Sequence, residues 1–215
     1  MSAASPPSTD ASDWAPFGPS PDRGIERLMQ AVAPGPVLYA GALSAERAQR
    51  FREAGFDLDL AALPEVVRPP SADPEARHAI GRTVDVTAAS SLDARYALVV
   101  LDRVLPLLEP KDGDRLLTMA RGATRPGGIV YVSGLTIADP AYEALGATAA
   151  ETARHAVRLD DGRWVRFLVP GELAMAFEGW IVLLSQDRVE EDERGRTRRT
   201  TVLAARRPSG SSLLA

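Results

Sequence analysis

Residues 96–102, Tyr-Ala-Leu-Val-Val-Leu-Asp, form an almost unbroken apolar run. A strand of this composition is typical of the centre of a parallel sheet, because there both of its faces are covered. Segments with the apolar spacing of amphipathic helices lie between this run and others like it, at residues 44–55 and 112–124. The alternation of strands and helices predicts a doubly wound α/β fold with a mostly parallel sheet.

The first two thirds of the chain contain five predicted strands. They lie at residues 36–41, 56–63, 82–86, 96–102 and 129–135. The helix that follows the first strand is predicted to begin after Ser44, a good N-cap residue, and to end before Gly55. Another helix is predicted before the first strand, over residues 24–34, and Arg-Pro-Gly-Gly at 125–128 is predicted to form a turn.

The last third of the chain has a different pattern. Residues 154–168 alternate around Asp160-Asp161-Gly162, which predicts a hairpin with its turn at that point. A short helix with Pro170 at its start is predicted next. Residues 179–189 and 197–207 then form two long strands, and the short charged connection predicts that they are antiparallel. The predicted fold is therefore a mostly parallel seven-stranded sheet with a C-terminal antiparallel hairpin.

The two ends of the chain differ in composition from the rest. Residues 1–21 are rich in Ser, Pro, Ala and Asp, which predicts a disordered tail, and residues 208–215 are expected to form a second one. A single α/β domain is expected between them, over residues 22–207. The first residues lack the basic and apolar parts of a secretory signal, and no apolar run approaches the ~20 residues of a membrane span. A soluble, cytoplasmic protein is expected.

Charge and residue counts exclude several kinds of site. The net charge of −4 argues against a nucleic-acid or anionic membrane partner. The chain has no cysteine, which excludes thiolate zinc sites and cysteine nucleophiles. Its two histidines, His78 and His155, are too few for a multi-histidine metal site, so no metal is expected. A small molecule remains the expected partner, and the sequence does not determine the oligomeric state.

Two stretches of this sequence resemble one known family. Residues 96–110 and 114–135, which contain the Arg-Pro-Gly-Gly sequence, resemble the fourth-to-fifth-strand segment of class I S-adenosylmethionine-dependent methyltransferases. The second half is similar, more narrowly, to the tellurite-resistance methyltransferase group. Residues 138–140, 170–180 and 200–207 carry that similarity. The resemblance covers roughly residues 22 to 207 and implies a Rossmann-like methyltransferase fold.

The resemblance also implies a cofactor site and the residues in it. S-adenosylmethionine is the implied cofactor, and the cofactor-binding positions are Gly41, Ala42, Asp85, Val86 and Asp102. The implied substrate positions are Arg103, Leu135 and Trp164, and no catalytic residue is assigned. Asp85 has an alternative role as a cap for the turn after its strand. Asp102 and Arg103 are alternatively expected to pair with each other or with helix ends.

The sequence departs from the family pattern at four positions. Tyr39 stands where the family usually has an acid, and Leu43 and Ala45 stand where it has further glycines. Ala62 stands where an acid usually binds the ribose hydroxyls, and loss of that contact costs ~2–4 kcal/mol. Two functions therefore remain open: an active small-molecule methyltransferase, and an inactive relative that serves as a binding or regulatory subunit. A pocket for another ligand is a third possibility.

Overall fold

The computed structural model describes residues 24–62, 82–85, 94–146, 151–153, 155–192 and 195–210. For Arg82, Asp85 and residues 151–153 it describes the backbone alone. Val86, His78 and the predicted tail 1–21 lie outside the described residues, as does most of the tail 208–215.

Helices and strands follow one another in the predicted alternation. In chain order the helices are α1 (Gly24–Gln30), α2 (Ala45–Glu53), α3 (Pro110–Ala123), α4 (Pro140–Gly146) and α5 (Glu172–Ala176). The strands are β1 (Pro36–Gly41), β2 (Asp57–Ala62), β3 (Arg82–Asp85), β4 (Tyr96–Asp102), β5 (Thr124–Leu135), β6 (Glu151–Ala153), β7 (Ala156–Arg158), β8 (Trp164–Arg166), β9 (Ile181–Glu191) and β10 (Thr197–Arg206).

Seven of these strands form the main sheet, in the order β3-β2-β1-β4-β5-β10-β9. Strands β1 to β5 are parallel, and β10 pairs antiparallel with both β5 and β9. This confirms the predicted fold class. The order of the strands reverses between β1 and β4, and ligands in open α/β sheets bind at the carboxyl ends of the strands at such a point.

Apolar side chains cover both faces of the sheet. One cluster contains Ile25, Val37, Phe51 and Val100, so it lies between the sheet and helices α1 and α2. The other contains residues of β4, β5 and α3 and lies on the opposite face. All residues of β4 are buried, as its apolar run predicts. Ser44 caps α2 by accepting a hydrogen bond from the Arg47 N–H at 3.2 Å, which confirms the predicted start of that helix.

The Arg-Pro-Gly-Gly segment was predicted as a turn, and that prediction is wrong. Strand β5 already begins at Thr124, and its register with β4 shifts within this segment, because Tyr96 pairs with Thr124 and Leu98 with Ile129. Gly127 has a φ of +75°, and its N–H donates to the Arg207 carbonyl at 2.9 Å. The Arg207 N–H donates in return to Gly128 at 2.9 Å. An irregular stretch within a strand can use a left-handed glycine just as a turn does, so the sequence pattern does not separate them.

A smaller unit lies between β5 and β9. Strands β6, β7 and β8 form an antiparallel three-stranded sheet, which confirms the hairpin of β7 and β8 and adds β6 to it. Strand β6 is only three residues long, too short for a recognisable alternation. Helix α4 also lacked a prediction. Asp139 precedes it and accepts a hydrogen bond from the Ala141 N–H at 2.8 Å.

Helix α5 begins later than predicted. Gly171, with a φ of +82°, is its N-cap, so Pro170 precedes the cap and does not lie in the first turn. None of the helices in the described part of the chain is long and apolar enough to cross a membrane.

Candidate functional site

The turn after β1 is shaped by a close approach between two strands. Gly41 pairs with Asp102 at the end of β4 and has a φ of +134°, a conformation that side chains rarely adopt. A Cβ atom at Gly41 would lie 2.2 Å from the Asp102 carbonyl oxygen. The glycine is therefore required by the packing of β1 against β4, independently of any ligand.

The unusual side chains around this turn lie in the core. Tyr39 is fully buried and Leu43 is 2% exposed, and both belong to the cluster between the sheet and helices α1 and α2. The Tyr39 ring packs edge-on against Phe51 of α2, with ring centroids 6.3 Å apart. Leu43 therefore anchors the turn to the core.

A buried set of polar side chains joins the ends of three strands to two helices. We call Glu26, Tyr39, Arg47, Asp102 and Ser133 the strand-end network. The Tyr39 hydroxyl donates to Asp102 Oδ2 at 2.9 Å, and the Ser133 hydroxyl donates to Asp102 Oδ1 at 2.9 Å. Arg47 lies 3.4 Å from Asp102 Oδ2 and 3.4 Å from Glu26 Oε1. Both carboxylate oxygens of Asp102 thus accept hydrogen bonds inside the protein.

Burial controls the protonation of this network. Removal from water raises the pKa of the Tyr39 hydroxyl well above its usual value, and the nearby Asp102 carboxylate raises it further. Burial alone would lower the pKa of Arg47, but Tyr39 and Asp102 raise it above its usual value. Tyr39 is therefore a neutral hydrogen-bond donor, and Arg47 is a cation held between two carboxylates.

Arg103, a predicted substrate residue, reaches across the sheet. Its backbone has a φ of +56°, in the left-handed region, and its N–H donates to the Ser133 hydroxyl at 3.0 Å. Its guanidinium forms an ion pair with Glu190 of β9. Non-glycine residues in this backbone region are uncommon and cluster at functional sites. Asp102 and Arg103 were alternatively expected to pair with each other or with helix ends; the partners found are Tyr39, Ser133 and Arg47 for Asp102, and Glu190 for Arg103.

The end of β2 offers few polar groups. Ala62 pairs with Asp85 at the end of β3, so the position where the family has a ribose-binding acid lies beside the predicted cofactor contact Asp85 along the backbone. The acid earlier in β2, Asp59, is buried and accepts hydrogen bonds from Arg95 at 2.5 Å and Tyr96 at 3.0 Å. It therefore does not replace an acid at position 62. The roles of Asp85 and Val86 stay predictions.

Of the predicted substrate residues, Trp164 lies in the smaller unit and Leu135 lies beside it, at the end of β5. Leu135 is buried in a cluster with Leu145, Val157 and Phe167. Trp164 is half-buried at the start of β8. An isolated bridge between Thr136 and Leu168 joins this unit to the end of β5. The carboxyl end of β5 therefore continues directly into the unit, and the substrate roles of both residues stay predictions.

Sequence reasoning missed three members of the strand-end network. Arg47 lies on the buried side of α2 and is 6% exposed. Neither its residue type nor its position in the helix predicted this burial. Ser133 is the one polar residue in the apolar stretch 129–135, and that interruption was an available signal. Glu26 is recognisable only through its contact with Arg47. In the described part of the chain, no cluster of three or more acidic or histidine side chains is arranged to hold a metal ion.

Comparison with solved structures identifies the fold. A SAM-dependent methyltransferase from Methanosarcina mazei superposes with a TM-score of 0.63 at 12% identity, over 89% of this chain and 99% of that chain. TehB from Haemophilus influenzae gives a TM-score of 0.60 at 14% identity, over 86% of this chain and 62% of that chain. No family model and no curated protein sequence matches the chain.

A third structure of this kind contains ligands. Burkholderia thailandensis 1,6-didemethyltoxoflavin-N1-methyltransferase, with bound 1,6-didemethyltoxoflavin and S-adenosylhomocysteine, has a TM-score of 0.56 at 20% identity. The match covers 81% of this chain and 72% of that chain. The chain therefore has the fold of the class I S-adenosylmethionine-dependent methyltransferases. TehB is one of several structural neighbours with this fold, and at 14% identity it shows the fold alone.

The residues described fit only part of the cofactor site that this fold implies. Residues 42–44 connect the end of β1 to the capped N-terminus of α2, a form of turn that suits a carboxylate. Tyr39 and Leu43 are buried beneath the turn, among the core side chains that also hold α2. Ala62 provides no acceptor for ribose hydroxyls, and both oxygens of Asp102 are engaged.

Proposed function

We propose that this protein is an S-adenosylmethionine-dependent methyltransferase that acts on a small molecule. The observation that carries the proposal is the short turn from β1 through Gly41 into the Ser44-capped α2, at the reversal of strand order. The bound S-adenosylhomocysteine of the Burkholderia neighbour supports the choice of cofactor.

The proposed roles are those that the resemblance to the methyltransferase family implies. The backbone at Gly41 and Ala42 receives the methionine carboxylate, and Asp85 and Val86 contact the adenine. Asp102 supports the site through the strand-end network, and Arg103, Leu135 and Trp164 face the methyl acceptor. The cofactor supplies the methyl group, and the protein contributes positioning and exclusion of water, which require no assigned base.

A second candidate function is supported by different observations. The polar groups at the ends of β1 and β4 are paired with each other, and Ala62 offers no ribose contact. These features favour a methyltransferase-like protein without catalysis, which binds a small molecule or regulates a partner. Fold alone does not decide between the two, since one fold serves many functions.

Isothermal titration with S-adenosylmethionine and S-adenosylhomocysteine separates the two candidates. The methyltransferase proposal predicts micromolar binding that Asp85→Ala weakens, whereas Asp57→Ala, a change at an exposed position at the start of β2, leaves it unchanged. Absence of heat up to millimolar cofactor would reject the proposal in favour of the non-catalytic protein.

Restoring the missing acid provides a gain-of-function test of the same site. Ala62→Asp places a carboxylate at the end of β2, and we expect tighter S-adenosylmethionine binding by about tenfold or more, the size of a hydrogen bond to a charged group. Ala62→Asn is the matched control, because it has the same shape without the charge, and it should give a smaller gain. Equal affinity of the wild type and Ala62→Asp would show that the ribose does not lie at this strand end.

A further inference from the structure

Strand β9 forms an edge of the main sheet and is exposed along most of its length. It pairs with β10 alone among the described strands, so one row of its backbone groups faces away from the sheet. Five large apolar side chains are exposed in the described part of the chain, and four of them belong to β9. These are Ile181 (54% exposed), Val182 (49%), Leu183 (40%) and Val189 (68%).

An edge of this kind is unusual in a protein that stays alone in solution. Edge strands present unpaired N–H and C=O groups that can pair with another chain, and proteins usually protect them with charges, proline, a short length or a bulge. The eleven residues of β9 include no proline, and its first four, Ile-Val-Leu-Leu, carry no charge. Among the described residues, the one protecting feature at this end is a shift of register with β10, where Leu183 is an extra residue between Val182 and Leu184. The charges of the strand lie in its second half, at Asp187, Arg188, Glu190 and Glu191.

This distribution of charge indicates what covers the edge. We propose that β9 pairs antiparallel with β9 of a second copy of the chain, about a two-fold axis near Val182 and Leu183. The axis places the two Ile-Val-Leu-Leu segments against each other. The charged halves then extend in opposite directions from the axis, so that their carboxylates do not meet. A partner strand that paired along the full length of β9 would instead need positive charges opposite Glu190 and Glu191, at the end of β9.

A two-fold pair of this kind is a closed dimer, to which no third chain can add through the same patch. The same patch is used on both copies, so the interface is satisfied by two chains and does not extend into a filament. The two main sheets join into one continuous sheet. The strand-end network and the turn after β1 lie away from the axis, because β10, β5 and β4 separate β9 from β1 in the sheet.

Light scattering coupled to size-exclusion chromatography tests the proposal with matched variants. The wild type is expected at the mass of a dimer, and Val182→Lys and Leu183→Lys at the mass of a monomer with unchanged circular dichroism. Val189→Lys changes a more exposed side chain of the same strand in its charged half, and this variant is expected to remain a dimer. A monomeric wild type, open-ended aggregates, or equal loss of the dimer in all three variants would overturn the proposal.

The absence of cysteine from the sequence allows a direct test of the register. Residues opposite each other in antiparallel strands have Cα atoms about 4.5–5.5 Å apart, within the range that a disulfide spans. Only the residue that lies on the two-fold axis faces its own copy, so we expect one of Val182→Cys and Leu183→Cys, whichever is on the axis, to form a covalent dimer under mild oxidation, and Val189→Cys to stay uncrosslinked. Crosslinking at position 189 alone would reject this pairing, and it would do so even if the protein proved to be a dimer.

Discussion

Tyr39 stands where the methyltransferase resemblance implies an acid, and the structure shows what the tyrosine does in its place. Its hydroxyl donates to Asp102 and lies 3.3 Å from Arg47, while its ring packs against Phe51. The side chain thus joins β1 to β4 and α2 through both polar and apolar contacts. At the residue scale, this departure from the family pattern stabilises the strand ends.

The effect of Tyr39 on stability is expected to depend on alkaline pH. Its pKa is raised in the folded state, so its contribution is complete below the unfolded pKa near 10 and is lost as the pH rises towards the folded pKa. In this window the wild-type free energy of unfolding should fall by up to about 1.4 kcal/mol per pH unit from this group. Denaturant titrations between pH 8 and pH 11 measure it.

Tyr39→Phe is the variant that isolates this contribution. We expect it to lose about 1–3 kcal/mol at neutral pH, because Asp102 loses a buried donor, and to show a shallower fall above pH 10. Tyr142→Phe serves as the control, since that hydroxyl lies in the smaller unit beside His155. An alkaline slope that is unchanged in Tyr39→Phe would contradict this explanation.

Two glycines are expected to respond to the same substitution with opposite signs. In Gly41→Ala the new Cβ meets backbone of β4 at 2.2 Å and the φ of +134° is unfavourable, so a loss above ~2 kcal/mol is expected. In Gly122→Ala, in the last turn of α3, nothing lies within 4 Å, and a gain of up to about 0.5–1 kcal/mol is expected. Chemical denaturation of both variants checks the pair. A mild effect of Gly41→Ala would show that β1 and β4 can separate at this point.

At the scale of elements, one buried arginine attaches the smaller unit to the main domain. Arg166 of β8 lies 2.8 Å from Asp114 of α3 and 2.6 Å from Glu172 of α5, and it donates to the Pro110 carbonyl at 3.0 Å. Gly113 leaves the space for its guanidinium, because a Cβ there would lie 2.3 Å from Arg166 Nη1. The position of the β7–β8 hairpin over the ends of β4 and β5 therefore depends on this contact.

Replacement of Arg166 should loosen the smaller unit more than the sheet. We expect Arg166→Met to cost about 1–3 kcal/mol and to increase amide hydrogen exchange in residues 155–168. Arg163→Met is the control in the same hairpin. Arg163 pairs with Asp161 within its own turn, at 2.5 Å, and its loss should cost under about 1 kcal/mol. Equal exchange in the two variants would mean that Arg166 does not hold the unit in place.

The sequence predicted most elements and few of their contacts. The strands β1 and β4 and the capped start of α2 follow from local apolar spacing and a cap residue, so they were predicted nearly to the residue. The Arg-Pro-Gly-Gly segment was misassigned because an irregular stretch of strand and a turn can both use a left-handed glycine. Asp139 illustrates the same limit: it was noted as part of a motif, but its hydrogen bond to the Arg199 N–H of β10, at 2.7 Å, depends on strand pairing.

At the scale of the whole molecule, the exposed edge strand and the proposed dimer have a thermodynamic consequence. When folding is coupled to association, the midpoint of thermal unfolding rises with protein concentration. We expect this dependence for the wild type and Val189→Lys, and a constant midpoint for Val182→Lys. Calorimetry over a hundredfold range of concentration measures the effect. A constant unfolding midpoint in the wild type, together with a monomeric mass, would overturn the proposed dimer.

By itself, the sequence determined the order of strands and helices, the class of fold and the positions that depart from the methyltransferase pattern. All three follow from the spacing and type of residues within short segments. That spacing sets the local backbone structure and decides which face of each helix or strand is buried. Only the tertiary structure decided that Tyr39 and Arg47 meet Asp102, and that the apolar start of β9 lies at an edge. Strand order sets both, because contacts between residues far apart in the chain depend on which strands are neighbours.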